Sequence, residues 1–356
     1  MLRVVELINS LDKRGGAEVL FANLCVELNK HKDVEIIVIS LFDNIDHSFD
    51  YLKNSGFRFY SCHKNKKIDL KSSRCLRRII KEFNPDVINT HLGTISSYFL
   101  AFGFKKRKWK LVHTVHNSAD KEASKFDVLL RKPYIKKKVL SFIAISDLIG
   151  ETIKRLHTNA EVRTIYNGIN FLEKQNASKD ITFICPARYC DQKNHKLLFN
   201  VFNKYADIYP KSSLECFGQG DLIIDYNNFV RTLKNGLNIK LNGQVDNISA
   251  YLNRSKFFVL SSIYEGNPIS ILEALSLGIP CVVPNIGGIP DIIKDGFNGF
   301  LFKVNDEESM LDKMIEATNF ENYQLLSRHC IDSVAKYSIS TTAEQYLALF
   351  SELKAR

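Results

Sequence analysis

Short apolar runs alternate with longer amphipathic stretches along the whole chain. In the first half, "RVVELIN", "VEIIVIS", "FRFYSC", "DVINTH", "KLVHTVH" and "SFIAIS" read as strands, several of them closed by polar residues. Between them, "GAEVLFANLCVELNK" and "KSSRCLRRIIKEF" carry apolar residues at helical spacing. Strands alternating with helices predict a parallel, doubly wound sheet. The rhythm pauses at "YNGINFLEKQNASKD", where Asn-Gly and a polar tract predict an interdomain linker. It restarts with "ITFICPAR", "SSLECFG", "IKLNG", "KFFVLSS", "IPCVVPN" and "GFLF", each followed by a helical stretch, so a second parallel sheet is expected. The last segment, "STTAEQYLALFSELKA", predicts one amphipathic helix. The expected organisation is an α/β chain of two Rossmann-like domains, residues 1–168 and 169–335, with a terminal helix over 336–356.

Bulk properties narrow the class. A chain of 356 residues suits two domains better than one core. It is 45% hydrophobic and 25% charged, an ordinary globular balance. No apolar run approaches the roughly 18 residues of a membrane span. The start, "MLRVVELINS", reads as a first strand rather than a signal peptide. Eight scattered cysteines without a C-x-x-C pair read as reduced thiols, so a cytoplasmic protein is expected. The net charge of +10 is unevenly spread: residues 1–168 hold 30 Lys and Arg against 18 Asp and Glu, the remainder 19 against 21. A basic first half suits an anionic partner: a phosphorylated substrate, a nucleic acid or an anionic lipid surface.

In open parallel sheets the ligand sits at the carboxyl ends of the strands, and two such sheets joined by a linker can face each other across a cleft. The residues just after each strand are therefore the candidates. Gly15 and Gly16 precede a helix, where backbone can approach an anion closely; a plain tight turn is the alternative. His116 ends the strand "KLVHTVH" and suits a phosphate or a sugar hydroxyl, whereas His113 reads as structural and His91 stays open between the two. Arg188 and Lys193 follow the first strand of the second half, two cations before a helix start that suit a diphosphate; a solvated loop is the alternative. Gly218 and Gly220 suit close approach by a ligand ring, or a plain turn.

The stretch "YEGNPISILEALSLGIPCVV" is the most informative. Pro268 suits a first helical position, so the backbone N–H groups of Gly266, Asn267, Ile269 and Ser270 are expected to point outward. Ile269, Ile271, Leu272, Ala274, Leu275 and Leu277 cover most of the following helix, which predicts burial. A buried Glu273 then needs a partner. Sugar and ribose hydroxyls suit it; a buried Arg, or plain exposure, is the alternative. Glu265 stands at the strand end beside it. "NIGGIPDII" repeats the layout with Gly287 and Gly288.

Taken in order, "GGAE", "TVHN", "AISDLI", "IYNGIN", "PARYCDQKNH", "FGQGDL", "YEGNPISILEALSLGIPCVV" and "NIGGIPDIIKDGFNGFLF" resemble the landmarks of the GT-B-fold retaining glycosyltransferases of family 4, group 1. The resemblance runs over nearly the whole chain and is most specific at Glu265 and Glu273, which match the family's E-x7-E motif. It implies that Arg188 and Lys193 bind the donor diphosphate and that Glu273 holds the ribose. It places Glu265 and the backbone of Gly266, Asn267, Pro268 and Ile269 on the transferring sugar. Gly16 and Gly218 would approach the donor, and His116 would lie near the reacting centre. It implies no metal and no cofactor beyond a nucleotide-diphosphate sugar as co-substrate. Asn117 stands where the family often has Gly, and Asp291 where it often has Glu.

The resulting expectation is transfer of a hexose or N-acetylhexosamine, from a UDP-sugar by preference, to a lipid-linked or oligosaccharide acceptor. His91, and the basic segments containing Lys105, Lys106, Arg107, Lys108, Lys136 and Lys137, are the candidate acceptor or membrane side, with an anionic inner-membrane surface as partner and no nucleic acid; a solvated basic surface is the alternative. The rival readings are a nucleotide-sugar 2-epimerase of the same plan, a nucleic-acid binder and an inactive scaffold.

Overall fold

A computed structural model describes residues 1–11, 15–66, 69–103 and 107–356, the side chains of residues 125 and 126 excepted. Lys105 and Lys106 lie outside the described residues. The chain divides into two compact units, Met1–Asn170 with Tyr337–Arg356, and Phe171–Lys336.

The first unit holds strands β1 (Leu2–Ile8), β2 (Val34–Ser40), β3 (Arg58–Ser61), β4 (Val87–His91), β5 (Lys110–Val115), β6 (Leu140–Ala144) and β7 (Glu161–Thr164). Its helices are α1 (Gly16–Leu28), α2 (Leu70–Phe83), α3 (Thr94–Phe102), α4 (Ala119–Glu122), α5 (Lys125–Lys136) and α6 (Asp147–Leu156). The strands form one parallel sheet in the order β3-β2-β1-β4-β5-β6-β7. All six predicted strands are present; β7, "EVRT", is an addition. Its four residues lack an apolar run and form an edge, so no hydrophobic pattern marks it. Val5, Leu7, Ile37, Ile39, Ile88, Leu111 and Phe142 make the core.

The second unit restarts the pattern with β8 (Ile181–Pro186), α7 (His195–Ile208), β9 (Leu214–Phe217), α8 (Ile223–Arg231), β10 (Ile239–Asn242), α9 (Ile248–Asn253) and β11 (Ser255–Val259). It continues with α10 (Ile269–Ser276), β12 (Cys281–Pro284), α11 (Ile289–Ile292), β13 (Gly299–Phe302), α12 (Glu307–Thr318) and α13 (Tyr323–Val334). The parallel order is β10-β9-β8-β11-β12-β13. Phe183 of β8 stacks on Phe257 of β11, with centroids 5.4 Å apart, and meets Tyr205 of α7 edge-on.

The last helix, α14 (Ile339–Ala355), buries Tyr346, Leu349, Phe350 and Leu353 and packs on α1 and β4 of the first unit. Its entry is tied down by reciprocal backbone bonds of Ile169 with Tyr337 and Ile339, both 2.9 Å. In both sheets the chain builds outward in one direction and then the other. The order reverses between β1 and β4 in the first unit and between β8 and β11 in the second. Ligands of open parallel sheets bind at such switch points, beyond the strand ends.

Candidate active site

In the second unit, the loops leaving β8 and β11 carry Lys193 and Glu265, and the fold brings these together. Lys193 Nζ lies 2.5 Å from Glu265 Oε1, with the side chains only 14% and 7% exposed. Four hydrogen bonds hold the loops in register. Ser261 Oγ donates to the carbonyls of Lys193 (2.8 Å) and Asn194 (2.9 Å). The Ile263 N–H donates to Gln192 O (2.9 Å), and Gln192 Nε2 donates to Tyr264 O (3.1 Å). Gly287, at φ +62°, brings the next loop against Glu265, so that a Cβ there would collide with the Glu265 carbonyl oxygen. Gly218 and Gly220 serve the same end. A Cβ at either would strike the carbonyl of Ala187 or Tyr189. The sequence suggested ligand approach for Gly218; the structure gives it a contact with the protein's own backbone.

Helix α10 differs from expectation in two ways. Pro268 is the N-cap, in extended backbone with ψ 114°, and Ile269 is the first helical residue. Proline's missing N–H costs nothing at either position. Ile269, Ile271, Leu272, Ala274 and Leu275 are buried, as the pattern predicted. Glu273, however, is only half-buried, on a stripe with Ser270 and Ser276 at three-residue spacing. Glu265, also half-buried as a residue, has a side chain only 7% exposed, and it pairs with Lys193. Gly266 is half-buried, Asn267 buried, and Arg188 exposed, so the two expected diphosphate ligands are not equivalent: Lys193 is held by a carboxylate and Arg188 faces solvent.

In the first unit the switch point holds a buried polar chain that sequence reasoning missed. Glu6 of β1 stands in register with Asn89 of β4, and side chains two residues apart on a strand share a face, so His91 joins them. All three are fully buried. Asn89 Nδ2 lies 3.0 Å from Glu6 Oε2 and 2.8 Å from His91 Nε2. His91 Nε2 is also 2.9 Å from Glu6 Oε2, and its Nδ1 is 2.9 Å from His116 Nε2. His91, left open above and grouped with the acceptor side, belongs to this chain. The signal was present: one or two polar residues interrupt each of the apolar runs "RVVELIN" and "DVINTH". Burial pushes the Glu6 carboxyl well above the usual range, against the Asn89 hydrogen bond. Burial, with the neighbouring imidazoles, pulls His91 and His116 each down to about 3.

His113, read as structural, also serves the site. Its Nδ1 is 3.0 Å from the Thr90 carbonyl and its Nε2 is 3.0 Å from Glu122 Oε1. Glu122 Oε2 accepts the His116 backbone N–H at 3.1 Å, which pins the turn carrying His116. Burial would raise Glu122, but His113, His116 and the buried Arg131 hold it below the ordinary value. Gly16 opens α1 behind an extended Gly15.

The basic segments are less uniform than their sequence. Arg107 donates to Phe102 O (3.1 Å) and lies over the rings of Phe102 and Trp109. Trp109, Tyr134 and Ile135 face the core, and Arg131 is buried. Among the described residues of these segments, Lys108, Lys132, Lys136, Lys137 and Lys138 are exposed, as is Leu129 at 60%. None of the described helices is long and apolar enough to cross a membrane.

The imidazoles make acid stability predictable. His91 and His116 sit at about 3 and His157 at about 4, against 6.5 for a free imidazole. The unfolded chain therefore binds more protons below pH 6.5, and folding stability falls as pH drops from there toward 4. Glu6 acts in the opposite sense, since the folded chain keeps its proton, but it counts once against four imidazoles, His113 being lowered as well. Urea titrations at pH 7.5 and 5 should show a lower midpoint at pH 5, with the first unit melting first. Equal midpoints would contradict neutral burial of these rings.

Two parallel, doubly wound sheets of seven and six strands, each with a switch point, have the GT-B architecture. Two family descriptions match in tandem, Glycosyltransferase Family 4 over residues 14–171 and Glycosyl transferases group 1 over residues 169–331. The chain belongs to glycosyltransferase family 4, group 1. An Escherichia coli UDP-Gal:alpha-D-GlcNAc-diphosphoundecaprenol alpha-1,3-galactosyltransferase is 28% identical over 80% of this chain and 81% of its own. A Campylobacter jejuni alpha-1,4-N-acetyl-D-galactosaminyltransferase, acting on a diphosphoundecaprenol-linked GalNAc-GalNAc-diNAcBac glycan, is 24% identical over 99% of both chains. The Anabaena protein HepE, solved in complex with UDP, superposes with a TM-score of 0.81 at 15% identity over 99% of this chain and 100% of its own.

Proposed function

We propose that this glycosyltransferase moves a hexose or N-acetylhexosamine, with retention, from a UDP-sugar to a polyprenyl diphosphate-linked or oligosaccharide acceptor in bacterial surface-glycan synthesis. The observation that carries the reading is the largely buried Lys193–Glu265 pair at the switch point of the second sheet. A lysine held by a carboxylate at a strand end is a pre-positioned cation, and departure of a nucleoside diphosphate is where negative charge develops. Breaking the anomeric bond leaves an oxocarbenium-like sugar and that diphosphate. Lys193 meets the diphosphate and exposed Arg188 swings onto its far side, so the reaction needs no metal ion. Glu265 orients Lys193 and, with the Gly266–Ile269 backbone, accepts and donates hydrogen bonds at the sugar; Glu273 takes the ribose hydroxyls and His116 the sugar. Neither carboxylate acts as a covalent nucleophile. The acceptor side lies in the basic first unit, where the exposed lysines around Leu129 rest on an anionic membrane surface, each cation contributing about 1 kcal/mol near it. The two relatives named above, both acting on diphosphoundecaprenol-linked acceptors, support this choice of acceptor.

One experiment tests the reading. The full chain, in excess chelator, is given a panel of nucleotide sugars and a polyprenyl diphosphate-linked sugar in vesicles with or without anionic lipid. The expected result is transfer with the anomeric configuration kept, fastest with a UDP-sugar, and salt-sensitive binding to the anionic vesicles. Inversion, dependence on added metal, or epimerisation of donor alone would overturn it.

A further inference from the structure

The proton positions in the buried chain of the first unit follow from its donors and acceptors. An amide nitrogen only donates. Asn89 is oriented by Thr114, whose Oγ1 donates to Asn89 Oδ1 at 3.0 Å, so Nδ2 points at Glu6 and His91. His91 Nε2 must then accept. The Glu6 carboxyl, kept protonated by burial, points at the same nitrogen and agrees with that assignment. A neutral His91 carries its one proton on Nδ1 and donates it to His116 Nε2. His116 in turn carries its proton on Nδ1, an atom that is buried without a hydrogen-bond partner among the described residues.

We propose that Glu6, Asn89 and His91 are positioning residues that lock His116 as the neutral Nδ1–H tautomer, making it a fixed hydrogen-bond donor to a substrate oxygen rather than a base or a cation. The inference rests on the reading of His116 as the residue facing the transferring sugar.

Burial and the neighbouring imidazoles favour the neutral form of His91 and His116, against the opposing charge of Glu122. Phe21 of α1 stands edge-on to His91, with centroids 5.0 Å apart, and offers no charge. Cys25 of α1 is fully buried, and burial holds its thiol protonated. Tyr346 of α14 lies 3.4 Å from Thr114 Oγ1 and is also held protonated by burial. Glu122 and His113 are the charged or titratable neighbours on the His116 side. A second histidine thus sets the tautomer of the first, and a carboxyl sets the second, as an outer partner fixes the ring that meets the substrate. The opposite amide orientation of Asn89 sets its Oδ1 against Glu6 Oε2 and reverses every proton in the chain, an outcome that is directly measurable.

The measurement is long-range nitrogen-15 NMR of the full chain labelled at histidine, with His116→Gln assigning the signal. At pH 7.5 the expected His116 signature is a protonated Nδ1 and a bare Nε2. A protonated Nε2, or an imidazolium, would overturn the lock. Two variants separate positioning from packing. His91→Phe keeps a ring of similar size but donates nothing; His91→Asn is smaller but places an amide N–H near the position of Nδ1. The lock predicts that His91→Phe frees the His116 tautomer and lowers kcat about tenfold or more, with KM for the nucleotide sugar little changed. It predicts that His91→Asn keeps both the Nδ1–H signature and at least about fivefold more activity than His91→Phe. The reverse order, with the smaller residue worse, would mean that His91 only fills space. If His91→Phe frees the tautomer while turnover stays at the wild-type level, the lock stands and His116 does not face the sugar, which removes that part of the functional reading instead.

Discussion

Lys193→Ala should lower kcat/KM for sugar transfer by roughly two to three orders of magnitude, the usual consequence of deleting one pre-positioned donor from a developing anion. The same change should also weaken the fold. Glu265 is 7% exposed, and without Lys193 its carboxylate stays behind, desolvated and unpaired. Removing one partner of a buried pair costs about 3 kcal/mol. The double variant Lys193→Ala with Glu265→Gln separates these effects, because the amide needs no counter-charge. Its thermal midpoint should return toward that of the parent while transfer stays low. If the double variant regains transfer, Lys193 serves only to neutralise Glu265. If Lys193→Ala alone turns over like the parent, the donor site lies elsewhere.

Gly287→Ala should act on the same site through the backbone. At φ +62° a residue with a Cβ costs about 1–2 kcal/mol, and here the methyl also meets the Glu265 carbonyl oxygen. The loop after β12 must move away from the loop after β11. Stability should fall by about 2 kcal/mol or more, and KM for the nucleotide sugar should rise about tenfold, since Glu265 and the start of α10 shift together. Gly296→Ala is the control. It has φ +73° in open space, so it carries the backbone cost without the collision. Equal losses of affinity in the two variants would show that the contact with Glu265 does not matter.

Much of this molecule was legible in its sequence, for a physical reason. A strand covered on both faces needs a continuous apolar run, and a crossover helix needs a 3.6-residue stripe; both leave local marks. Hence twelve of the thirteen described strands were found, and only the polar edge strand β7 was not. The site was legible in part. Glu265, Lys193 and His116 were marked by their places at strand ends. Burial misled the reading at α10, where periodicity showed that the helix was covered but not that Ser270, Glu273 and Ser276 form its least covered stripe.

The sequence by itself determined the alternation of strands and helices, the two-sheet organisation, the residues at the strand ends and the excess of positive charge in the first half. The tertiary structure alone decided which of those residues meet. Strand order set β8 beside β11 and so joined Lys193 to Glu265, 72 positions apart. It set β1 beside β4, and the register then placed Glu6, Asn89 and His91 on one face. Local patterns report what each segment must bury. Pairing between strands distant in the chain depends on the whole sheet, and the partners of a buried proton depend on that pairing.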